Sequence, residues 1–182
     1  MPPTPASPRW IESAPVERIA IAGCGGSGKS MLARQLAATL DLPLTHLDAV
    51  YYDQDWNPLP PEEFAARQEK LATEPVWIIE GNYASTMPIR LAAADTVTFL
   101  DLPALTCLWG ITQRRWRYRG GQHHDVGVYD RIRWSFLVYI WRYRHTMAPR
   151  VRELISQHAT SARVITVTSR RQARRLVNQL AR

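Results

Sequence analysis

The chain has 182 residues, of which 46% are hydrophobic and 21% charged, with a net charge of +7. That composition excludes a disordered, collagenous or disulfide-scaffold protein and fits one globular domain with a single core. The positive charge is almost wholly arginine, Lys29 and Lys70 being the two lysines, and it favours anionic partners: nucleotides, phosphorylated metabolites or nucleic acid. Residues 1–15 hold five prolines and no continuous apolar run, so they read as a flexible tail and as neither a signal peptide nor an anchor. Residues 16–182 are expected to form the domain.

Arg18 to Ala22 reads as a short buried strand, and Met31 to Leu40 as a helix with Leu32, Leu36 and Leu40 at four-residue spacing. Between them, Gly23-Cys24-Gly25-Gly26-Ser27-Gly28-Lys29-Ser30 matches the phosphate-binding pattern G-x-x-x-x-G-K-[ST] without a mismatch. The chemistry requires these residue types. Gly23, Gly25, Gly26 and Gly28 let backbone N–H groups close on a phosphate chain, with Ser27 and Met31 in the same wrap. Lys29 reaches the β- and γ-phosphates, Ser30 offers a hydroxyl to Mg²⁺, and the helix N-terminus adds its dipole. Cys24, beside that terminus, is expected to have a lowered pKa and to be open to alkylation.

Leu44 to Asp48 reads as a second strand closed by a carboxylate. Residues 49–61, with Tyr51, Tyr52, Trp56 and three prolines, cannot be one regular element; the aromatics either stack on a base or pack against the core. Glu62 to Thr73 reads as a helix. Val76 to Glu80 is an apolar run typical of a central parallel strand. Glu80 then either holds Mg²⁺ through its water shell or caps the next turn. Ile89 to Ala94 is a brief helix, Thr96 to Asp101 a fourth strand, and Pro103 opens a helix running into Arg114, Arg115, Arg117 and Arg119. That basic stretch is read as a lid over a nucleotide or as a solvated face with Trp116 and Tyr118 packed inward. His123, His124 and Asp125 lie in a glycine-bounded loop and read as solvent-exposed. Residues 131–143 and 150–158 read as two helices, Val164 to Val167 as a fifth strand and Gln172 to Leu180 as the last helix. Trp134 to Trp141 is too short to span a bilayer, and no membrane association is expected. Two cysteines without metal or disulfide spacing point to the cytoplasm.

Alternating strands and helices imply an α/β fold, a parallel sheet with helices on both faces, whose ligands bind beyond the carboxyl ends of the strands. Asp48, Glu80 and Asp101 all fall on that edge.

These segments resemble the DNA-topology-modulation group of adenylate-kinase-like P-loop proteins over residues 18–180. The resemblance rests on the P-loop, on His46-Leu47-Asp48 with Tyr51 and Trp56, on Trp77-Ile78-Ile79-Glu80-Gly81-Asn82-Tyr83, on Arg90, on Ala94-Asp95 and Phe99-Leu100-Asp101-Leu102-Pro103, on Cys107-Leu108 and on Arg114-Arg115. It implies a nucleoside-monophosphate-kinase-like fold with strand order 2-3-1-4-5, a substrate arm over 49–74 and a lid over 115–130. It also implies ATP in the P-loop and Arg90 against an acceptor phosphate. The family usually has Asp where this chain has Glu80. The function expected is Mg-ATP-dependent phosphoryl transfer, with Lys29, Asp48, Arg90, Arg114 and Arg115 in catalysis and Ser30 and Glu80 at the metal. The acceptor expected is a nucleotide or related metabolite. A nucleotide-dependent DNA-associated regulator is the alternative, less favoured because no dedicated DNA-reading motif is present.

Overall fold

A computed structural model describes residues 16–53, 55, 57–117 and 134–180. Trp56, Tyr118, Arg119, His123, His124, Asp125 and most of the expected lid lie outside the described residues.

The first crossover contains β1 (Arg18–Gly23), α1 (Lys29–Leu40) and β2 (Leu44–His46), followed by the short α2 (Leu47–Tyr51). Next come α3 (Pro61–Ala72), β3 (Trp77–Glu80), α4 (Met87–Ala93), β4 (Thr96–Leu100) and α5 (Ala104–Arg117). The chain closes with α6 (Trp134–His158), β5 (Arg163–Val167) and α7 (Arg170–Leu180). The strands form one parallel sheet in the order β2-β3-β1-β4-β5, as expected. Its three inner strands carry Ile19, Ile21, Ile78, Ile79, Val97 and Phe99, each nearly or fully buried. Runs apolar on both faces are what a sheet covered by helices requires.

Two elements depart from the sequence reading. Asp48 does not end a strand; it sits in the first turn of α2, because the chain leaves the sheet at His46 and coils at once. The two helices expected around residues 131–158 form one continuous element, with Pro149 inside it. Pro149 is solvent-exposed, and the face through Ile140, Tyr143, Ala148, Val151 and Ile155 is buried on both sides of it. That packing outweighs the lost backbone bond, which costs a helix interior about 3 kcal/mol.

The P-loop is seated directly on α5. A Cβ at Gly26 would collide with the Cys107 carbonyl, and one at Gly110 with the Gly26 carbonyl. Backbone meets backbone there because neither residue carries a side chain.

Candidate active site

Parallel register brings the site together. Ile21 pairs with Glu80 across β1 and β3, and His46 pairs with Glu80 across β2 and β3. Glu80 therefore stands between the strand that enters the P-loop and the strand that leads to Asp48. Its carboxylate accepts from the Ser30 hydroxyl at 3.1 Å, meets His46 Nδ1 at 2.8 Å and lies 3.6 Å from Lys29 Nζ. Burial alone would raise its pKa. The Lys29 charge and the contacts from His46 and Ser30 outweigh that, holding the carboxyl below its ordinary value and thus ionised.

Lys29 also donates to the Cys24 carbonyl at 3.3 Å, bridging the loop it belongs to. Gly28 closes that loop with φ +96°, a left-handed conformation open to glycine. The Ser27 hydroxyl is buried without a hydrogen-bond partner, a polar group inside the wrap facing no described acceptor or donor. Ser30 and Glu80 present adjacent hard oxygen donors, the set Mg²⁺ selects when phosphates complete its shell. The residues present therefore fit Mg²⁺ with a polyphosphate. Met31, the next residue of the helix, is half exposed.

The turn after Glu80 is held by Arg90. Its guanidinium is 1% exposed and donates to Gln68 Oε1 at 3.0 Å and, from Nη2, to the carbonyls of Gly81 at 2.8 Å and Asn82 at 2.6 Å. Burial pushes its pKa down to about 10. The resemblance implies Arg90 against an acceptor phosphate; the structure turns this fork inward, onto the backbone beneath the site. Asn82 continues the brace, its Oδ1 accepting from the Gly23 N–H at 2.9 Å. That bond ties the β3 turn to the mouth of the P-loop. Tyr83 follows at φ +28°, a strained conformation for an aromatic residue, costing roughly 1–3 kcal/mol. Its hydroxyl donates to Asp48 Oδ1 at 2.7 Å, and Asp48 Oδ2 takes no hydrogen bond from any described residue.

Asp48 is exposed by surface area yet closely surrounded: desolvation, with the Glu80 charge adding to it, pushes its carboxyl above the ordinary value against the Tyr83 hydrogen bond and the Lys29 and Arg114 charges. Arg114 is half-buried on α5, whereas Arg115 and Arg117 are exposed. Trp116 is 87% exposed, so of the two readings of this basic stretch, the one that packs Trp116 inward is not what occurs. Asp101, the third strand-end acid, belongs to a different cluster: Arg144 and Arg152 pair with it, and Arg152 also lies over the Phe99 ring. Cys24 is corrected as well. Its thiol is buried against Cys107, and their hydrogen bond together with desolvation pushes its pKa far up, overriding the helix terminus. It is expected to resist thiol reagents.

Tyr51 and Tyr83 meet the Phe64 ring at centroid distances of 4.9 and 4.8 Å, and Tyr52 meets Tyr51 at 4.9 Å. The arm aromatics therefore pack on one another beside Asp48. His46, Asn82 and Tyr83 gain roles that residue type alone did not assign. Strand register was the missing signal for the first, since it alone aligns His46 with Glu80.

This architecture is that of a P-loop kinase fold. A shikimate kinase from Bacteroides thetaiotaomicron superposes with a TM-score of 0.55 at 18% identity, covering 91% of this chain and 96% of its own. A shikimate kinase from Acinetobacter baumannii in complex with shikimate gives 0.52 at 18%, covering 91% and 90%. An uncharacterized protein from Eubacterium ventriosum gives 0.51 at 15%, covering 91% and 98%. No family model matches the chain, and no curated protein matches it by sequence. Among the described residues, no helix is long and apolar enough to cross a membrane.

Proposed function

We propose that the chain is a Mg²⁺-dependent phosphotransferase that moves the γ-phosphate of ATP to a small acceptor held between Asp48 and the arm at 49–74. The observation that carries this reading is the convergence of Lys29, Ser30 and ionised Glu80 on the P-loop, with Asp48 on the neighbouring strand's exit. Phosphoryl transfer asks a protein for alignment and positive charge more than covalent chemistry. In this reading Gly23 to Ser30 wraps the phosphates, with Met31 at the start of the helix behind them. Lys29 exchanges its Glu80 contact for the β- and γ-oxygens, where it stabilises charge developing during transfer. Ser30 and Glu80 would hold Mg²⁺, which would supply neutralising charge to the phosphate oxygens.

Asp48, oriented by Tyr83, receives the acceptor's proton. Arg114 and Arg115, in the last turn of α5, are assigned to the transferring group in this reading, and the Gly26–Gly110 contact seats that helix on the loop. Arg90 acts as a positioning residue, holding the Gly81–Tyr83 turn on which Asp48 and Gly23 both depend.

Transfer of label from γ-labelled ATP to a pooled set of small metabolites, with Lys29→Ala as the blank, tests the proposal. Label in an acceptor that needs Mg²⁺ and vanishes in the blank is the expected result. Tight ATP binding with no acceptor labelled would refute it.

A further inference from the structure

We infer that the acceptor is a hydroxylated molecule without an anionic group, such as a free sugar, an amino sugar or a nucleoside, and not a nucleoside monophosphate or other phosphate ester. The inference rests on the kinase reading above and narrows it. In a chain of net charge +7, residues 49–74 carry six acids against two cations, Arg67 and Lys70. Neither cation is arranged to receive a phosphate. Arg67 is bound to Glu63 at 2.6 Å on the exposed side of α3, and Lys70 is exposed in its last turn, whereas Phe64 meets the ring cluster from the first. Arg90, the arginine placed by sequence to take an acceptor phosphate, spends three hydrogen bonds on Gln68, Gly81 and Asn82. Gln68 is itself buried and bonded to Thr86 at 2.7 Å. Of the cations that act on Asp48, Lys29 belongs to the P-loop and Arg114 to the helix packed on it, the two elements that the kinase reading assigns to the nucleotide.

What the described surface offers the acceptor is the reverse of a phosphate clamp. Tyr51, Tyr52 and Tyr83 are half-buried rings packed in one cluster, which reaches Asp48 through the Tyr83 hydroxyl. Rings present apolar area to the C–H faces of a sugar. Asp48 offers Oδ2 to an acceptor O–H. On transfer, the acceptor oxygen forms a bond to the γ-phosphorus while the bond from that phosphorus to the β–γ bridging oxygen breaks; the hydroxyl proton goes to Asp48 and then to solvent, and ADP leaves. A dianionic phosphate brought to this arm would meet its net negative charge with no arginine fork among the described arm residues turned to receive it.

Matched acceptor pairs test the inference under Mg-ATP: a free sugar and its phosphate, an amino sugar and its phosphate, a nucleoside and its monophosphate. The expected result is a kcat/KM at least about 100-fold higher for the unphosphorylated partner in whichever pair reacts. The pair that reacts identifies the source of the hydroxyl. A monophosphate preferred over its nucleoside would overturn the inference and leave the kinase reading standing. No transfer to any compound, with ATP binding intact by calorimetry, would overturn both. As a second variant, Glu62→Lys with Glu69→Lys on the exposed face of α3 should narrow the discrimination by several-fold, with KM for ATP unchanged. Discrimination unaffected by those charges would remove arm charge as its cause.

Discussion

The two ends of the site are built differently. At the P-loop most of the charged and polar side chains are already engaged: Lys29 on Cys24 and Glu80, Ser30 and His46 on Glu80, Asn82 on Gly23, and Arg90 on the turn after Glu80. At the arm, Asp48 has one oxygen without a hydrogen bond from any described residue, and a cluster of half-buried rings stands beside it. Preorganised charge suits a ligand that is the same in every turnover, since no reorganisation is needed as charge develops. An open aromatic surface suits a part that sets specificity through shape. The difference teaches where substitutions should act on the rate and where on the choice of acceptor.

Lys29→Ala strikes the engaged end and should have the largest effect: a loss of roughly 10²–10³-fold or more in transfer rate with melting temperature nearly unchanged. A comparable loss of stability would mean that Lys29 mainly braces the loop. Arg90→Ala comes next, leaving the Gly81 and Asn82 carbonyls and Gln68 without their buried donor, at a cost of about 2–4 kcal/mol of unfolding free energy. If Arg90→Ala instead folds normally and raises only the KM of an anionic acceptor, the arginine contacts substrate and the contrast between the two ends breaks. Gly110→Ala inserts a methyl into the Gly26 carbonyl and is expected to cost about 1–3 kcal/mol; denaturant unfolding measures it, and weaker ATP binding should accompany it. The smallest effect belongs to the arm: Tyr51→Ala should raise the acceptor KM by roughly 10-fold, with KM for ATP unchanged.

The legibility of the sequence followed the same division. The P-loop was readable because its pattern is contiguous, and the sheet order was implied by the family resemblance that the motifs carry. Glu80 could be placed because a parallel strand announces itself as an apolar run ending in an acid. Arg90 was located in sequence, but its direction depends on α3 and α4 packing together, which brings Gln68 to it from 22 residues away. Asp101 shared the strand-end logic of Glu80, and only the fold shows Arg144 and Arg152 claiming it. Cys24 was misread for a related reason: its helix terminus is local, whereas its partner Cys107 comes from α5.

The most direct test of the central claim, that the β3 edge is a Mg-ATP site, is calorimetric titration with a non-hydrolysable ATP analogue, with and without Mg²⁺, on the intact protein and on Glu80→Gln. Binding strengthened at least 10-fold by Mg²⁺ in the intact protein, and indifferent to Mg²⁺ in Glu80→Gln, is the predicted result; 10-fold corresponds to about 1.4 kcal/mol. Equal Mg²⁺ enhancement in both proteins, or no analogue binding by the intact chain, would contradict it.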